Sequence, residues 1–185
     1  MATRAVLTFS LCVAALPAFG AEVAGVKLED RTNELVLNGA GLRTKVIFNV
    51  YVIGLYLPAK KTDAAAVLQL AGPKRVAIHM LRNVGAEQFS EALVEGIRDN
   101  HSEAESKILE PQVKELVATM AEIKQAKQGM TIALDWTGAA TQLVIDGKPA
   151  GQPIAGEDFY RALLRIWLGE TPVQEDLKRA LLGQG

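Results

Sequence analysis

From Leu37 to Pro58 the chain alternates at the two-residue period of a strand, after the turn-forming Asn38-Gly39 and Gly41. Read as one continuous strand, it puts Val46, Phe48, Val50 and Val52 on one face, with Arg43, Lys45, Ile47, Asn49 and Tyr51 on the other. The first face reads as core. The second mixes apolar groups with a cation, an amide and a phenol, which suits the head of an amphipathic carboxylate; an ordinary wetted sheet face gives the same pattern.

Upstream, Val26 to Glu29 and Glu34 to Leu37 read as a hairpin turning at Asp30 to Asn33. Downstream, Thr62 or Asp63 caps a short helix through Leu70 that ends at Gly72-Pro73. Alternation returns over Arg75 to Arg82, with Val76, Ile78 and Met80 opposite Ala77, His79 and Leu81. Phe89, Leu93 and Ile97 mark a helix over Ala86 to Asn100, and Ser102 with Glu105 forms a capping box for the next one, restarted at Pro111. Met130 to Trp136 and Ala140 to Asp146 read as antiparallel strands, followed by an Asp146-Gly147 turn. The segment GKPAGQPIAG reads as a connection, without the Gly-Lys-Ser/Thr ending of a phosphate loop. Glu157 to Leu168 is an amphipathic helix stopped by Gly169, and Thr171-Pro172 with Gln174 starts the last helix.

The N-terminus stands apart. Arg4, the apolar run AVLTFSLCVAAL, Pro17 and the small residues around Phe19 read as a signal peptide over residues 1–20, cleaved near Gly20/Ala21, with a periplasmic or secreted product over 21–185. The apolar run is too short to span a bilayer comfortably, and no later segment qualifies as an integral membrane span. Cys12, the single cysteine, lies inside the peptide, so neither disulfides nor thiol chemistry is expected of the processed chain. The remaining stretch of about 165 residues suits one domain with a sizeable core. A formal charge of -1 makes no electrostatic case for nucleic acid or an anionic membrane. Only His101 is available to join His79, and no metal-ligand spacing surrounds them, so no metal and no cofactor is expected.

The order GAGLR, IGLYLP, RVAIHML, EQFSEALVEGI and FYRALLRIWLG resembles the chalcone isomerase-like family over roughly Val23 to Leu182. The resemblance implies an α+β fold: an open-faced β-sandwich, in which a large antiparallel sheet carries helices packed on one side over a ligand cleft. Family members divide between chalcone cyclisation, fatty-acid binding and no enzymatic activity. The family arginine matches Arg43. The positions that assist ring closure match Tyr51, Phe89, Gly96 and Ile166, none of which preserves the family's residue, so the resemblance leans toward the non-catalytic, fatty-acid-binding branch.

Three functions follow. The first is a non-catalytic periplasmic binding protein for a fatty acid or another small apolar carboxylate. Arg43 would clamp the head group, Tyr51 or Tyr56 would donate to it, and Asn49 and Phe89 would complete the site. Tyr56 needs a strand bulge to share Arg43's face. The second is an isomerase or lyase acting on an enone or phenolic substrate, with Arg43 and Tyr51 as its catalytic candidates. The third is an envelope protein-interaction module without a ligand.

Overall fold

A computed structural model describes residues 19–184. The expected signal peptide falls mainly on residues 1–18, outside the described residues. In chain order the strands are β1 (Phe19–Val23), β2 (Val26–Glu29), β3 (Arg31–Thr32), β4 (Leu35–Lys45) and β5 (Phe48–Leu57), then β6 (Lys74–Met80) and β7 (Val84–Gly85). They continue as β8 (Gln125–Ala126), β9 (Thr131–Trp136), β10 (Ala140–Ile145) and β11 (Lys148–Ala155). The helices are α1 (Ala64–Leu68), α2 (Ala86–Arg98), α3 (Glu103–Ala121), α4 (Glu157–Leu168) and α5 (Glu175–Leu181).

Seven strands form one antiparallel sheet in the order β11-β10-β9-β6-β5-β4-β3. Because paired residues share a face, cross-strand rows such as Ile53, Ile78, Ile132 and Ile145 build one apolar surface. All five helices contribute to the core against that surface. Tyr160 of α4 stacks on Trp136 at 5.8 Å between centroids and donates to the Leu134 carbonyl at 3.1 Å, fastening α4 to β9. On the back of the sheet the β1–β2 ribbon covers a smaller cluster of Leu28, Leu35, Leu37, Val52 and Tyr56.

The organising stretch is a hairpin rather than a single strand. The chain reverses at Val46-Ile47, and β4 pairs back on β5. Two register shifts refine the pairing. Asn38 is the extra residue on β4, and its amide bonds the Lys61 N–H and the carbonyls of Lys61 and Leu181. Val50 is the extra residue on β5, between the pairs Thr44↔Asn49 and Arg43↔Tyr51.

Three other expectations change. The first ribbon pairs Val26–Glu29 with the segment before it, not with Glu34 to Leu37. The Gly- and Pro-rich segment expected as a connection is the edge strand β11, where Pro149 and Pro153 cost little because an edge strand offers one side to solvent. Pro111 lies inside a continuous α3; both it and Lys107, whose carbonyl loses a partner, are exposed, so the unpaired carbonyl is on the solvent side rather than in the core. The expected capping box at Ser102 and Glu105 is present in both directions.

Candidate functional site

Between the helical face of the sheet and the helices α2, α3 and α4 lies a cleft of about 750 Å³. Its floor is apolar: Ile78, Ile132, Leu134 and Leu143 come from the three adjacent strands β6, β9 and β10. Phe89 and Leu93 of α2, Met120 of α3 and Ile166 and Trp167 of α4 form the opposing walls. The bulge at Val50 matters here, because Val50 and Tyr51, consecutive in sequence, both line the cleft instead of taking opposite faces.

Arg43 enters from β4, directly across from Tyr51. The half-buried guanidinium donates to the Thr44 carbonyl at 2.6 Å and to Gln174 Oε1 at 3.2 Å. Both acceptors are neutral, and among the described residues no carboxylate pairs with it. Gln174 is held in turn: its oxygen accepts from Thr44 N at 2.9 Å and its amide donates to the Leu42 carbonyl at 3.1 Å. The last helix reaches this position because β4 carries Gly41. A Cβ there would press on Leu177 Cδ1 at 2.6 Å, and one on neighbouring Gly39 would lie 2.6 Å from the Leu181 carbonyl oxygen, so the backbone of α5 lies close along the strand over these two glycines.

Tyr51 is buried, and its oxygen accepts from Trp167 Nε1 at 3.0 Å. Burial raises its pKa, with partial opposition from the Trp167 hydrogen bond and then from Arg43's charge. The phenol therefore keeps its proton at neutral pH and remains a donor. Among the described residues, the titratable groups lining the cleft are Arg43, Lys45, Tyr51, Arg82, Glu95 and Asp99, and both carboxylates are exposed, Glu95 on α2 and Asp99 at its C-cap. The site is thus an apolar volume with a cationic entrance and a neutral hydroxyl inside, an arrangement suited to holding a molecule with one anionic end.

Arg43, Tyr51 and Phe89 meet at this cleft. Asn49 and Tyr56 do not. Asn49 is exposed beside the hairpin turn, outside the lining. Tyr56 lies on the back of the sheet, where its hydroxyl donates to the Glu29 carbonyl at 3.2 Å; β5 has no bulge between Tyr51 and Tyr56 that would bring it to the front. His79 also lies on the β5–β6 back face, paired with Val52. Gln174 and Trp167, which orient Arg43 and Tyr51, were missed as site residues because each also reads as an ordinary helix-terminus or core residue.

The positions matched to the family's ring-closing groups all line the same cleft with Arg43: Tyr51, Phe89, Gly96 and Ile166. Two of them have merged into one packing contact. A Cβ on Gly96 would meet Ile166 Cγ2 at 2.8 Å, so the bare backbone of α2 receives the branched side chain of α4. Among the described residues no group of three His, Cys, Asp or Glu side chains is placed to hold a metal ion.

Sequence comparison with curated proteins finds no match. Among solved structures, the fold is similar to the crystal structure of an Arabidopsis thaliana fatty-acid binding protein, with a TM-score of 0.67 at 14% identity, covering 85% of this chain and 92% of that one. A chalcone isomerase-like family model matches residues 20–183, nearly the whole described chain. The protein belongs to the chalcone isomerase-like family.

Proposed function

We propose that the protein is a non-catalytic periplasmic carrier that binds a fatty acid or another small apolar carboxylate in the cleft between sheet and helices. One observation carries the reading: among the described residues, the half-buried Arg43 guanidinium at an apolar cleft of about 750 Å³ is satisfied only by neutral oxygens. A guanidinium in that setting gains a charge-assisted, two-pronged pair when a carboxylate arrives. Tyr51, protonated and already accepting from Trp167, has its own proton to donate. The volume falls within the usual range of small-molecule sites, about 300–1,000 Å³. The fatty-acid binding protein of similar fold supports the same ligand class.

Catalysis of ring closure is disfavoured by the Gly96–Ile166 contact, which fills with hydrocarbon a place where the family resemblance expects hydrogen-bonding groups. An interaction module with a solid interior is disfavoured by the open volume beneath Arg43. The periplasmic address rests on the N-terminal pattern of Arg4, the following apolar run and the small residues around Phe19. Cleavage after Gly20 leaves Ala21, Glu22 and Val23 to pair with β2.

The deciding experiment is native mass spectrometry of the chain purified from its own envelope fraction, with the N-terminus read from the same sample. A mass increment that dissociates as a small acid, on a chain beginning at Ala21, supports the carrier. A bare polypeptide that also fails to take up added fatty acid rejects it. Incubation with chalcones should yield no flavanone above the spontaneous rate.

A further inference from the structure

The β4–β5 hairpin ends in three apolar side chains that the fold leaves in water. Val46 is 91% exposed, Ile47 82% and Phe48 52%. A two-residue turn ordinarily uses Asn, Asp or Gly, because it requires positive φ. Here Val46 takes φ 58°, a conformation that β-branched residues rarely adopt. Neither local preference nor burial explains a valine and an isoleucine at this turn.

The surroundings name a partner. Lys45 precedes the tip, and the Arg82 guanidinium lies 4.4 Å from the centroid of the Phe48 ring. Lys127 is exposed on the neighbouring loop, which is tied to Asn83 by a 2.8 Å bond from Gln128 N. Glu95 of α2 and Asp99 at its C-cap line the mouth from the opposite side, so the positive charge gathers on the hairpin side. Val46 and Phe48 also line the cleft entrance. A narrow finger offers too little area for a stable protein interface, which takes roughly 800 Å² from each partner. A bilayer needs no such area: apolar side chains enter the acyl boundary while flanking cations stay at the head groups.

We propose that the Val46-Ile47-Phe48 tip inserts into an anionic lipid surface, so that the cleft opens against the bilayer and a lipid-like ligand passes between them without crossing bulk water. The transfer step rests on the carrier reading above; membrane docking of the tip does not. The near-neutral charge of the whole chain conceals this local arrangement.

The test is flotation of the purified chain with phosphatidylcholine vesicles, with and without phosphatidylglycerol. Ile47 is the residue to change, because it stands outside the cleft lining. The chain should float with the anionic vesicles, less so at high salt, and Ile47→Asp should lower partitioning by about tenfold or more. Ile47→Trp should strengthen it and add a blue-shifted fluorescence component on mixing. A chain that does not float, or an Ile47→Asp variant that floats equally well, overturns the proposal. So does an Ile47→Asp effect limited to turning a dimer into a monomer in light scattering. Calorimetry with dispersed lauric acid separates the two readings. Equal affinity in the parent chain and Ile47→Asp supports a tip that acts only in docking, whereas loss of lauric acid binding in the variant overturns that role. If the parent chain itself binds no lauric acid, the carrier reading fails, while flotation still decides the tip.

Discussion

Arg43 and Tyr51 stand directly opposite one another across the β4–β5 hairpin, and the extra residue at Val50 sets that register. The pairing places a cation and a phenol side by side at the entrance of an apolar cleft. Each is oriented by a residue from the C-terminal part of the chain, Gln174 for Arg43 and Trp167 for Tyr51. The sheet supplies the polar groups, and α4 together with the N-cap of α5 fixes their direction.

Removal of the cation should separate binding from folding. Arg43→Ala loses hydrogen bonds to neutral, partly exposed acceptors, so the denaturation midpoint should move little, with a cost of about 1 kcal/mol. Affinity for a fatty acid should fall by about tenfold to a hundredfold, the worth of a charge-assisted pair. Arg43→Lys should recover only part, because an ammonium lacks the planar fork. Displacement of a fluorescent fatty acid measures both variants against the parent chain, and unchanged affinity in Arg43→Ala rejects the head-group clamp.

The phenol's removal should act on stability as well. Tyr51→Phe leaves the Trp167 indole N–H buried without its acceptor, a cost of about 1–3 kcal/mol. Adding Trp167→Phe removes the stranded donor, so the double variant should be less destabilised than the sum of the two single changes. Urea denaturation of the four chains gives this coupling, and strict additivity would mean that the bond contributes nothing.

Restoring a polar residue at Gly96 should strain the helix crossing. Gly96→Asn drives a Cβ toward Ile166 Cγ2, and overpacking of this kind costs about 1–3 kcal/mol. Ile166→Ala opens the space, so the pair together should be more stable than the two separate costs imply. Thermal unfolding of the single and double variants checks this, and a Gly96→Asn chain as stable as its parent would show that α2 and α4 can move apart freely.

The legible parts of the fold were those whose signal is local. Ser102 with Glu105, Asp63 as a cap, the Asp146-Gly147 turn and the stripe of α4 each carry their chemistry within a few residues, and each is present. The reversal at Val46-Ile47 was hidden because the turn uses residues that read as strand. The edge strand β11 was hidden for the opposite reason: its prolines and glycines read as loop, and only its place at the sheet margin makes them tolerable. At the site, Arg43, Tyr51 and Phe89 share the cleft, whereas the placement of Tyr56 depended on a bulge that occurs elsewhere in the hairpin. Gln174 could not be singled out because its role exists only after residues 130 positions apart come together.

Alkaline pH should unfold the chain through its buried phenols. Tyr56 is pushed up to about 12, by burial first and then by the neighbouring Glu29 carboxylate; Tyr51 and Tyr160 are also raised, chiefly by burial. Below pH 10 each phenol is neutral in both the folded and unfolded chain, and its contribution to stability is fully present. From pH 10 toward 12 the unfolded chain ionises while folded Tyr56 does not, so stability is lost progressively as pH rises. Lys74, lowered by burial, works in the other direction and mostly below this window: its contribution is lost as pH falls and is fully present above about pH 10.5, so it offsets only the start of the decline. Tyr56→Phe gives up the bond to the Glu29 carbonyl but removes the titration, so its stability should start lower and fall less steeply across this window. Denaturant midpoints measured on both sides of pH 10 compare the slopes, and parallel curves for the parent and Tyr56→Phe would exclude this tyrosine as a source of the alkaline transition.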